Sequence, residues 1–549
     1  MLRIVPTTSS SARNPFYIPE LLQVIVSLLD DPPDLLHVAC TNQNFTEIAL
    51  RELWREPGFD GSPLLSMLRL FPDDIAASLA ALQDPNLSIP RASFNRFDYY
   101  SRFVRILTLW HHGEEAFIAL VLTKNRPGVW LFPSLEALHL GAAGEELETA
   151  PVYLTPTLKS LYLNHWDGLE GREIIPNENL KKTLRQICSL PRLSNLDLAD
   201  TLYTPLEHDA ETVRGFVGIA GRLETFRAQS FLTLNTVFAP LSRNPNLRSV
   251  LLNALLEGAV YVTLDHLIIR LGEGFPGLRT LGLYCSMQQA MKIFADLRRR
   301  LPRLALKITS SMDAHDMLAL TACIASYNSG ILSLRISSAG NISPGENPSV
   351  RLPAVLAPLR ACKSLVELEI VLGFNGEQMM QDPEIDDLFR SWPDLESCTI
   401  LNDPEGDLLA VEGEETSFGL TLDAISSAAR HCRHLMDLTL PFVDTSAIPD
   451  VVGQRRSTHP LSLQLSRTHV HNHAQVQKFV SRLWPAAELT FGGCDHYAGM
   501  HMKVMTPFDG TERPEWLQDG TPDGTSHDGM VHDGAQDGID GIDDIDGIE

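Results

Sequence analysis

The chain has 549 residues, of which 44% are hydrophobic and 21% charged, and its formal net charge at pH 7 is −25. This composition is typical of a folded, soluble protein. An acidic chain without a basic stripe is a poor match for proteins that grip phosphate backbones, so we expect no nucleic-acid partner. No apolar stretch approaches the roughly 20 residues of a membrane-spanning helix, so we expect no membrane partner.

Eight cysteines are scattered singly along the chain, without a C-x-x-C pair. This distribution is typical of reduced thiols and argues against a disulfide framework or a zinc site. The first residues have no apolar core of the length found in secretory signals. We therefore expect a cytoplasmic or nuclear location.

Three short helices are predicted in residues 17–57, after a disordered segment at residues 1–16. Pro19 suits a first helical position, and Glu20 suits the positive start of a helix. Apolar residues then recur at helical spacing: Leu21, Leu22, Ile25, Leu28 and Leu29. Asp31-Pro32-Pro33 should end this helix, because proline cannot continue the hydrogen-bond ladder. A second short helix follows the prolines, and a third ends near Trp54.

A segment of about 36 residues cannot bury this much leucine and tryptophan alone, since chains below about 40 residues rarely form a self-sufficient core. The spacing includes a proline and an acidic residue, paired leucines, the run Pro33 to Leu36 and the pair Leu53-Trp54. It resembles the F-box family, and more closely its fungal members. Thr41-Asn42-Gln43 departs from the family pattern, which commonly has a cysteine followed by a basic residue.

The F-box resemblance implies a three-helix module that docks on the Skp adaptor of cullin–RING ubiquitin ligases. The residues expected to contact that adaptor are Pro19, Leu22, Ile25, Leu36, Leu50 and Trp54. On this interpretation, changing Leu22 and Trp54 to alanine together should abolish adaptor binding while the rest of the chain stays folded.

Residues 58–100 are expected to form a helical linker. The segment from Phe94 to Arg105, which overlaps the end of this linker, is rich in arginine and tyrosine. It is similar to the lead-in that fungal F-box/leucine-rich-repeat proteins place before their first repeat.

A six-residue pattern, apolar-x-x-apolar-x-apolar, recurs in fourteen strict or looser copies whose central positions run from 107 to 489. The mean period is about 29 residues, with intervals from 23 to 40. Each copy reads as a short strand, and helical patterns lie between the copies. The arrangement resembles the leucine-rich repeat, which implies an α/β fold with an irregular solenoid over residues 101–495. A doubly wound α/β domain is the alternative, but fourteen strands exceed the roughly ten that a twisted open sheet usually holds.

The leucine-rich-repeat resemblance also implies a concave face for a partner. One residue of each strand, between its last two apolar positions, should point outward there: His139, Tyr162, Asp197, Arg227, Leu251, Gly282, Lys307, Arg335, Glu369, Thr399 and Thr439. Aromatic and arginine side chains dominate the energetics of protein interfaces. Tyr162, Arg227 and Arg335 are therefore the expected substrate contacts, with Glu369 as a further one.

Two features suggest other chemistry. Residues 272–277 match G-x-G-x-x-G, but they follow a helical pattern and precede a strand, the reverse of a dinucleotide-binding turn. His469, His471 and His473, with His496 or His501, would hold a metal only if they shared one strand face. Tandem surface histidines are the commoner explanation, so we expect no metal, no cofactor and no catalytic residue.

The last residues form an acidic tail. From Asp509 to Glu549 there are thirteen acidic residues and one basic residue, and the dipeptide Asp-Gly occurs eight times. Low hydrophobicity and high charge are typical of disorder, which we expect over residues 496–549.

The predicted function is a non-enzymatic substrate-recognition adaptor of an SCF-type cullin–RING ubiquitin ligase, with the Skp adaptor, cullin and an unknown protein substrate as partners. The alternatives are a repeat scaffold without a ligase role and an enzyme that uses the histidine clusters.

Overall fold

The computed structural model describes residues 18–29, 31–57, 63–82, 84–110, 113–142, 146–165, 178–198, 210–227, 235–253, 264–297, 299–309, 312–343, 350–373, 380–401, 419–441, 443–449, 459–466 and 472–492. All of them belong to one compact unit, residues 1–506, and a second unit comprises residues 507–549. The disorder predicted for residues 1–16 and 496–549 lies outside the described residues.

The three predicted N-terminal helices are confirmed as α1 (Pro19–Val26), α2 (Pro32–Thr41) and α3 (Gln43–Leu53). We call residues 18–57 the N-terminal module. Helix α2 begins at the first of the two prolines, where a missing N–H costs nothing. Helix α3 begins after Asn42, whose side-chain oxygen accepts the N–H of Asn44 at 2.9 Å. Asn42, one of the three residues that depart from the F-box pattern, therefore caps this helix.

Residues 63–101 form α4 (Pro63–Leu68), α5 (Asp73–Ala80), a 3-10 turn (Arg91–Phe94) and α6 (Asn95–Ser101). These elements pack around Phe71, Phe94 and Phe97, whose ring centroids lie 5.3 to 6.5 Å apart. The buried carboxylate of Glu115 accepts the N–H of Leu64 at 3.1 Å and so ties the start of α4 to the first repeat.

Fourteen strands follow one another in a single sheet, and every neighbouring pair along the described chain is parallel. The strands are β1 (Ile106–Trp110), β2 (Ala137–Ala142), β3 (Ser160–His165), β4 (Asn195–Asp197), β5 (Thr225–Arg227), β6 (Ser249–Asn253), β7 (Thr280–Cys285), β8 (Arg303–Ile308), β9 (Ser333–Ser343), β10 (Glu367–Gly373), β11 (Ser397–Leu401), β12 (Asp437–Pro441), β13 (Leu461–Ser466) and β14 (Ala487–Gly492). Each strand coincides with one copy of the sequence pattern. Because the strand order never reverses, the doubly wound alternative is excluded.

Helices connect many of these strands. They are α7 (Gly113–Asn125), α8 (Glu178–Ser189), α9 (Ala210–Ile219), α10 (Asn235–Ser242), α11 (Leu264–Glu273), α12 (Met287–Asp296), α13 (Ala314–Tyr327), α14 (Leu352–Leu356), α15 (Asp382–Ser391), α16 (Leu422–His431) and α17 (His473–Leu483). Polar residues start several of them, as Ser286 does for α12 through a reciprocal capping box with Gln289. The leucines of the repeat pattern are buried in one continuous core that also contains the apolar faces of the helices.

Two-residue strands extend the large sheet at one point and form a separate two-stranded sheet at another. Met312–Asp313 pairs with the end of β9, and Leu420–Thr421 pairs with Val443–Asp444. Within the ranges given above, no helix is both long enough and apolar enough to cross a bilayer.

In the turns before the strands, side-chain donors of several residue types satisfy backbone carbonyls of the preceding repeat. These donors include Thr155, Arg222, Asn244, Arg299, Asn328, Cys362, Trp392 and Cys432. Asn244, for example, donates to the carbonyls of Ala220 and Leu223 at 2.8 and 2.7 Å. Burial raises the pKa of Cys362 to about 11 and that of Cys432 to about 12, so both remain thiols that can donate. The repeats thus differ both in length and in the residue type that donates to the preceding turn.

Candidate protein-docking surfaces

Helix α1 is apolar on two sides. Leu22 and Val26 are buried, with only 2% of Leu22 exposed. Four other apolar residues are between 41% and 73% exposed: Leu21, Val24, Ile25 and Leu28. Their spacing of three, four and seven residues places them along one helix face. Leu28 lies in the turn that continues this face beyond Val26.

Helix α2 contributes a further exposed leucine. Leu36 is 50% exposed, whereas its neighbour Leu35 is buried with Ala39 and Leu50 in the core of the N-terminal module. We call Leu21, Val24, Ile25, Leu28 and Leu36 the docking stripe. Exposed apolar side chains that share one helix face, as the four on α1 do, are typical of protein-interaction sites.

The structure divides the residues that the sequence predicts as adaptor contacts. Ile25 and Leu36 belong to the docking stripe. Leu22 and Leu50 are 2% and 8% exposed, so in this chain both side chains are packed inside, and their contact with the adaptor stays a prediction. Pro19 begins α1.

Trp54 is the remaining predicted contact. Its half-buried ring lies with its centroid 4.9 Å from that of Tyr100, in the lead-in to the repeats. Trp54 also packs on the module core, which includes Phe103 of the same lead-in. The tryptophan therefore joins the N-terminal module to the repeats.

Backbone hydrogen bonds strengthen this joint. The Arg55 carbonyl accepts the N–H groups of Arg105 and Ile106 at 2.8 and 3.0 Å. One repeat further, the Arg105 carbonyl accepts two successive N–H groups in the same way, at 2.7 and 2.9 Å. The same arrangement recurs in most of the later repeats of the described chain. The N-terminal module thus takes the place of a repeat preceding β1.

The lead-in is itself held by aromatic contacts. The Arg102 guanidinium lies 4.4 Å from the ring centroid of Tyr99 and 4.6 Å from that of Phe103. The rings of Tyr99 and Phe103 meet edge to face at 5.5 Å. The arginine- and tyrosine-rich segment is therefore part of the packed joint, and cation–π contacts of this kind stabilise it further.

The strand register defines a second candidate surface. Across the described sheet, the residues aligned with His139 form a row that we call the strand row: Thr108, His139, Tyr162, Asp197, Arg227, Leu251, Gly282, Ala305, Arg335, Glu369, Thr399, Thr439, Gln464 and Thr490. These residues alternate along each strand with the buried apolar residues, so they belong to the opposite face of the sheet.

One member of the predicted row is wrong. The sequence places Lys307 in it, but the ladder pairs Gly282 with Ala305 and Tyr284 with Lys307. This strand is apolar at every second position, so its pattern fits two frames that differ by two residues. Hydrogen bonding to β7 selects the frame that places Ala305 in the strand row.

Opposite charges in the strand row pair with each other. Arg227 donates to Asp197 at 3.2 Å, and both side chains are buried. Arg335 lies 3.1 Å from the Glu369 carboxylate, and about a fifth of each side chain is exposed. Three of the four predicted substrate contacts thus form ion pairs within the row. Their contact with a partner stays a prediction.

The fourth predicted contact, Tyr162, lies beside another ring. The ring centroids of Tyr162 and His139 are 5.9 Å apart. Burial lowers the pKa of His139, so its imidazole is neutral at pH 7. This part of the strand row is aromatic and uncharged.

The centre of the strand row holds its smallest side chains. Leu251 leans over Gly282, where an added Cβ would lie 2.4 Å from the Leu251 Cδ1 atom. Ala305 follows in the next strand. The row therefore has an uncharged centre between two ion pairs, a mixture of surface types that is common in protein interfaces.

The glycine-rich segment at residues 272–277 serves a turn. Helix α11 ends at Glu273, and Phe275 has a positive φ of 52°. An added Cβ on Gly277 would lie 2.2 Å from the Pro245 carbonyl oxygen, so this glycine allows close packing on the preceding repeat. The segment precedes a strand, as the sequence predicts for a helix-ending turn.

The described residues contain no group of three His, Cys, Asp or Glu side chains that could hold a metal ion. His473 begins α17, with its ring 4.6 Å from that of Phe491. The other histidines of the candidate metal site (His469, His471, His496 and His501) lie outside the described residues.

No protein-family model and no curated protein matches this chain. Solved structures with some resemblance include the complex of Rad7 and Elc1 in yeast, at 16% identity and a TM-score of 0.34, covering 70% of this chain and 88% of that chain. Another is the leucine-rich-repeat-containing protein LegL7 from Legionella pneumophila, at 14% identity and a TM-score of 0.28, covering 56% and 87%. At this level of similarity the fold assignment rests on the strand order and register. By those criteria the chain has the α/β fold of a leucine-rich-repeat solenoid.

Proposed function

We propose that this chain is the substrate-recognition subunit of an SCF-type cullin–RING ubiquitin ligase. The docking stripe binds the Skp adaptor, and through it cullin, and the strand row binds a protein substrate. The observation that carries the proposal is the exposed apolar stripe on a three-helix module whose sequence resembles the F-box. A soluble chain gains little from such a surface unless a partner covers it.

In this proposal the chain itself makes and breaks no bond. It holds a substrate while a separate ubiquitin-conjugating enzyme, recruited through the adaptor, approaches the substrate lysines. Tethering raises the effective concentration of lysine near that enzyme. The packed joint at Arg55 and Trp54 supports this role, because it keeps the docking stripe fixed relative to the first strands. We place this activity in the cytoplasm or nucleus, because scattered free cysteines are typical of compartments that keep thiols reduced.

A repeat scaffold without a ligase role is the second candidate, and one observation favours it. Because the Arg55 carbonyl continues the hydrogen-bond pattern of the repeats, the N-terminal module also caps the end of the sheet. Terminal caps are common in solenoids irrespective of function. A scaffold of this kind would not bind the Skp adaptor.

Binding of the full chain to purified Skp adaptor tests the proposal. Val24→Glu with Leu28→Glu places charges in the docking stripe without touching the module core. Burying each apolar side chain contributes about 1.5–3 kcal/mol. Since about 1.4 kcal/mol corresponds to a factor of ten, the double variant should bind at least about a hundredfold more weakly.

The control is Ile269→Glu, which makes one such substitution at an exposed apolar residue of α11. It should bind the adaptor like the wild type. Absence of adaptor binding by the wild-type chain, or equal binding by the double variant, would contradict the ligase proposal.

A further inference from the structure

The residue immediately before each strand from β1 to β12 belongs to a row on the side of the sheet where the strands begin. We call it the strand-start row. Successive members are held side by side by backbone hydrogen bonds, as where the Arg248 carbonyl accepts the N–H groups of Arg279 and Thr280 at 2.8 and 2.9 Å. Because parallel strands lie about 4.8 Å apart, neighbouring side chains of this row are close enough to interact.

The first members of the strand-start row carry alternating charges that pair. Arg105 precedes β1, Glu136 precedes β2 and Lys159 precedes β3. The Glu136 carboxylate lies 3.1 Å from the Arg105 guanidinium and 2.6 Å from the Lys159 ammonium group. The hydrogen bond from Lys159 lowers the pKa of Glu136, and the charges of Lys159 and Arg105 lower it further. This part of the row neutralises its own charges.

Arg248 and Arg279 depart from that alternation. They precede β6 and β7, both are exposed, and neither forms an ion pair with any of the described residues. Like charges directly opposite each other on neighbouring strands are destabilising. Glu224 borders Arg248 on its other side, whereas Arg279 is followed in the row by Pro302. The two arginines therefore leave positive charge uncompensated in a chain whose net charge is −25.

Helix ends do not account for these two arginines. The negative end of a helix stabilises cations within its last turn. Helix α10 ends at Ser242 and α11 at Glu273, and each arginine lies a further six residues along the chain, at the start of a strand.

Apolar residues continue the strand-start row beyond Arg279. Pro302, Leu332 and Val366 precede β8, β9 and β10, and none of them is fully buried. Leu332 is 40% exposed. Glu396, before β11, ends this apolar stretch. We call the five residues between the two glutamates the basic–apolar segment: Arg248, Arg279, Pro302, Leu332 and Val366.

We propose that the basic–apolar segment binds an extended stretch of a partner protein that is acidic at one end and apolar at the other. Two carboxylates would remove the repulsion between Arg248 and Arg279, and apolar side chains would cover Leu332 and Val366. Five positions at about 4.8 Å span about 19 Å, the length of an extended chain of about six residues.

Nucleic acid fits this surface poorly, because its phosphates would extend over the apolar half and meet a chain of net charge −25. The basic–apolar segment lies outside the docking stripe, and its members stand three positions before the corresponding members of the strand row. The proposal therefore goes beyond the proposed adaptor function and does not depend on it.

Retention of peptides on the immobilised full chain tests the proposal. The first library of short peptides has two aspartates followed by two leucines at alternate positions and degenerate residues between them. A second library has asparagine in place of both aspartates, and a third has serine in place of both leucines. The wild type should retain the first library in preference to the other two. Raising the salt concentration from about 0.05 to about 0.5 M should lower that retention, because salt screens exposed charges.

Arg248→Gln with Arg279→Gln should lower retention of the first library by about two- to thirtyfold, the range expected for the loss of two exposed ion pairs. The matched control is Arg192→Gln with Arg433→Gln, which removes the same charge from two exposed arginines outside the strand-start row. It should retain the library like the wild type.

Leu332→Ser should lower retention by about threefold or more, because less apolar surface is buried in the complex. Met436→Ser is its control, since Met436 lies in the same row beyond Glu396 and is 42% exposed. This control should bind like the wild type.

Equal retention of the asparagine or the serine library, or undiminished retention by either the Arg248/Arg279 or the Leu332 variant, would overturn the proposal. All the substituted side chains are exposed, so every variant should unfold at the temperature of the wild type. Every variant should also bind the Skp adaptor like the wild type, so this proposal and the ligase proposal fail independently.

Discussion

At the scale of single residues, Leu36 and Leu50 have opposite surroundings within one small module. Leu50 packs in the module core with Leu35 and Ala39, whereas Leu36 is half exposed on the docking stripe. Leu36 lies in α2 and Leu50 in α3. Leu50 stabilises the module, whereas Leu36 is available to a partner. Stability and docking can therefore be separated by mutation.

Leu50→Ala should destabilise the module, and Leu36→Ala should not. A buried leucine changed to alanine costs about 2–5 kcal/mol, because contacts are lost and a cavity remains. An exposed one usually changes the free energy of unfolding by less than about 0.5 kcal/mol. Amide hydrogen exchange of α2 and α3 measures this difference, and Leu36→Ala should in addition weaken adaptor binding. Similar exchange rates in the two variants would contradict the burial argument.

The same reasoning changes the interpretation of the Leu22/Trp54 double variant. Leu22 is buried and Trp54 packs on Tyr100, so replacing both with alanine would loosen the module and its joint. A loss of adaptor binding in that variant would report unfolding as readily as a lost contact.

At the scale of helices and strands, the turns between repeats are stabilised by specific side-chain donors. The indole N–H of Trp392 donates to the Leu359 carbonyl at 3.0 Å. Trp484 occupies the corresponding turn before β14 and is equally buried, but its indole N–H has no hydrogen-bond partner among the described residues. The two tryptophans make a matched pair that differs in one hydrogen bond.

Trp392→Phe should therefore lower stability more than Trp484→Phe. Both changes remove a similar volume, but only the first removes a hydrogen bond, which contributes about 0.5–1.5 kcal/mol. The Leu359 carbonyl keeps its bond from the Cys362 N–H at 2.9 Å. Thermal unfolding of the two variants beside the wild type measures the difference. Equal losses would show that volume, and not the hydrogen bond, decides the stability of these turns.

The strands could be predicted from the sequence because one apolar pattern marks each of them. The leucines at the central positions are buried wherever the sheet meets its helices, so the pattern and the fold report the same constraint. Lys307 was misplaced because its strand fits two frames, and only hydrogen bonding to the neighbouring strand selects one.

The docking stripe could be predicted only in part. Helix α1 carries apolar residues on two faces, and periodicity alone does not tell the face that packs from the face that stays exposed. Leu22 and Ile25 look equivalent in the sequence, but they differ in burial.

At the scale of the whole described unit, the joint at Arg55 couples the docking stripe to the sheet. Ile106→Pro would remove one N–H donor of the joint at the first position of an edge strand, where proline is tolerated. A net hydrogen bond contributes about 0.5–1.5 kcal/mol, so amide exchange in α1–α3 should accelerate by about two- to twelvefold.

Exchange in β7–β9 should be unchanged in the same variant. Ile106→Val, which keeps the N–H, should behave like the wild type throughout. If Ile106→Pro leaves α1–α3 as protected as before, the module is held by its aromatic contacts alone.

The assorted donors at the turns have a consequence for how the chain can change its length. Deleting one unit would bring two surfaces together that were never fitted to each other, for instance the Cys362 thiol where the Asn328 amide had reached the Leu301 carbonyl. The contacts of each unit are therefore specific to its own neighbours. Deleting or exchanging a unit would break the side-chain hydrogen bonds at the new junction.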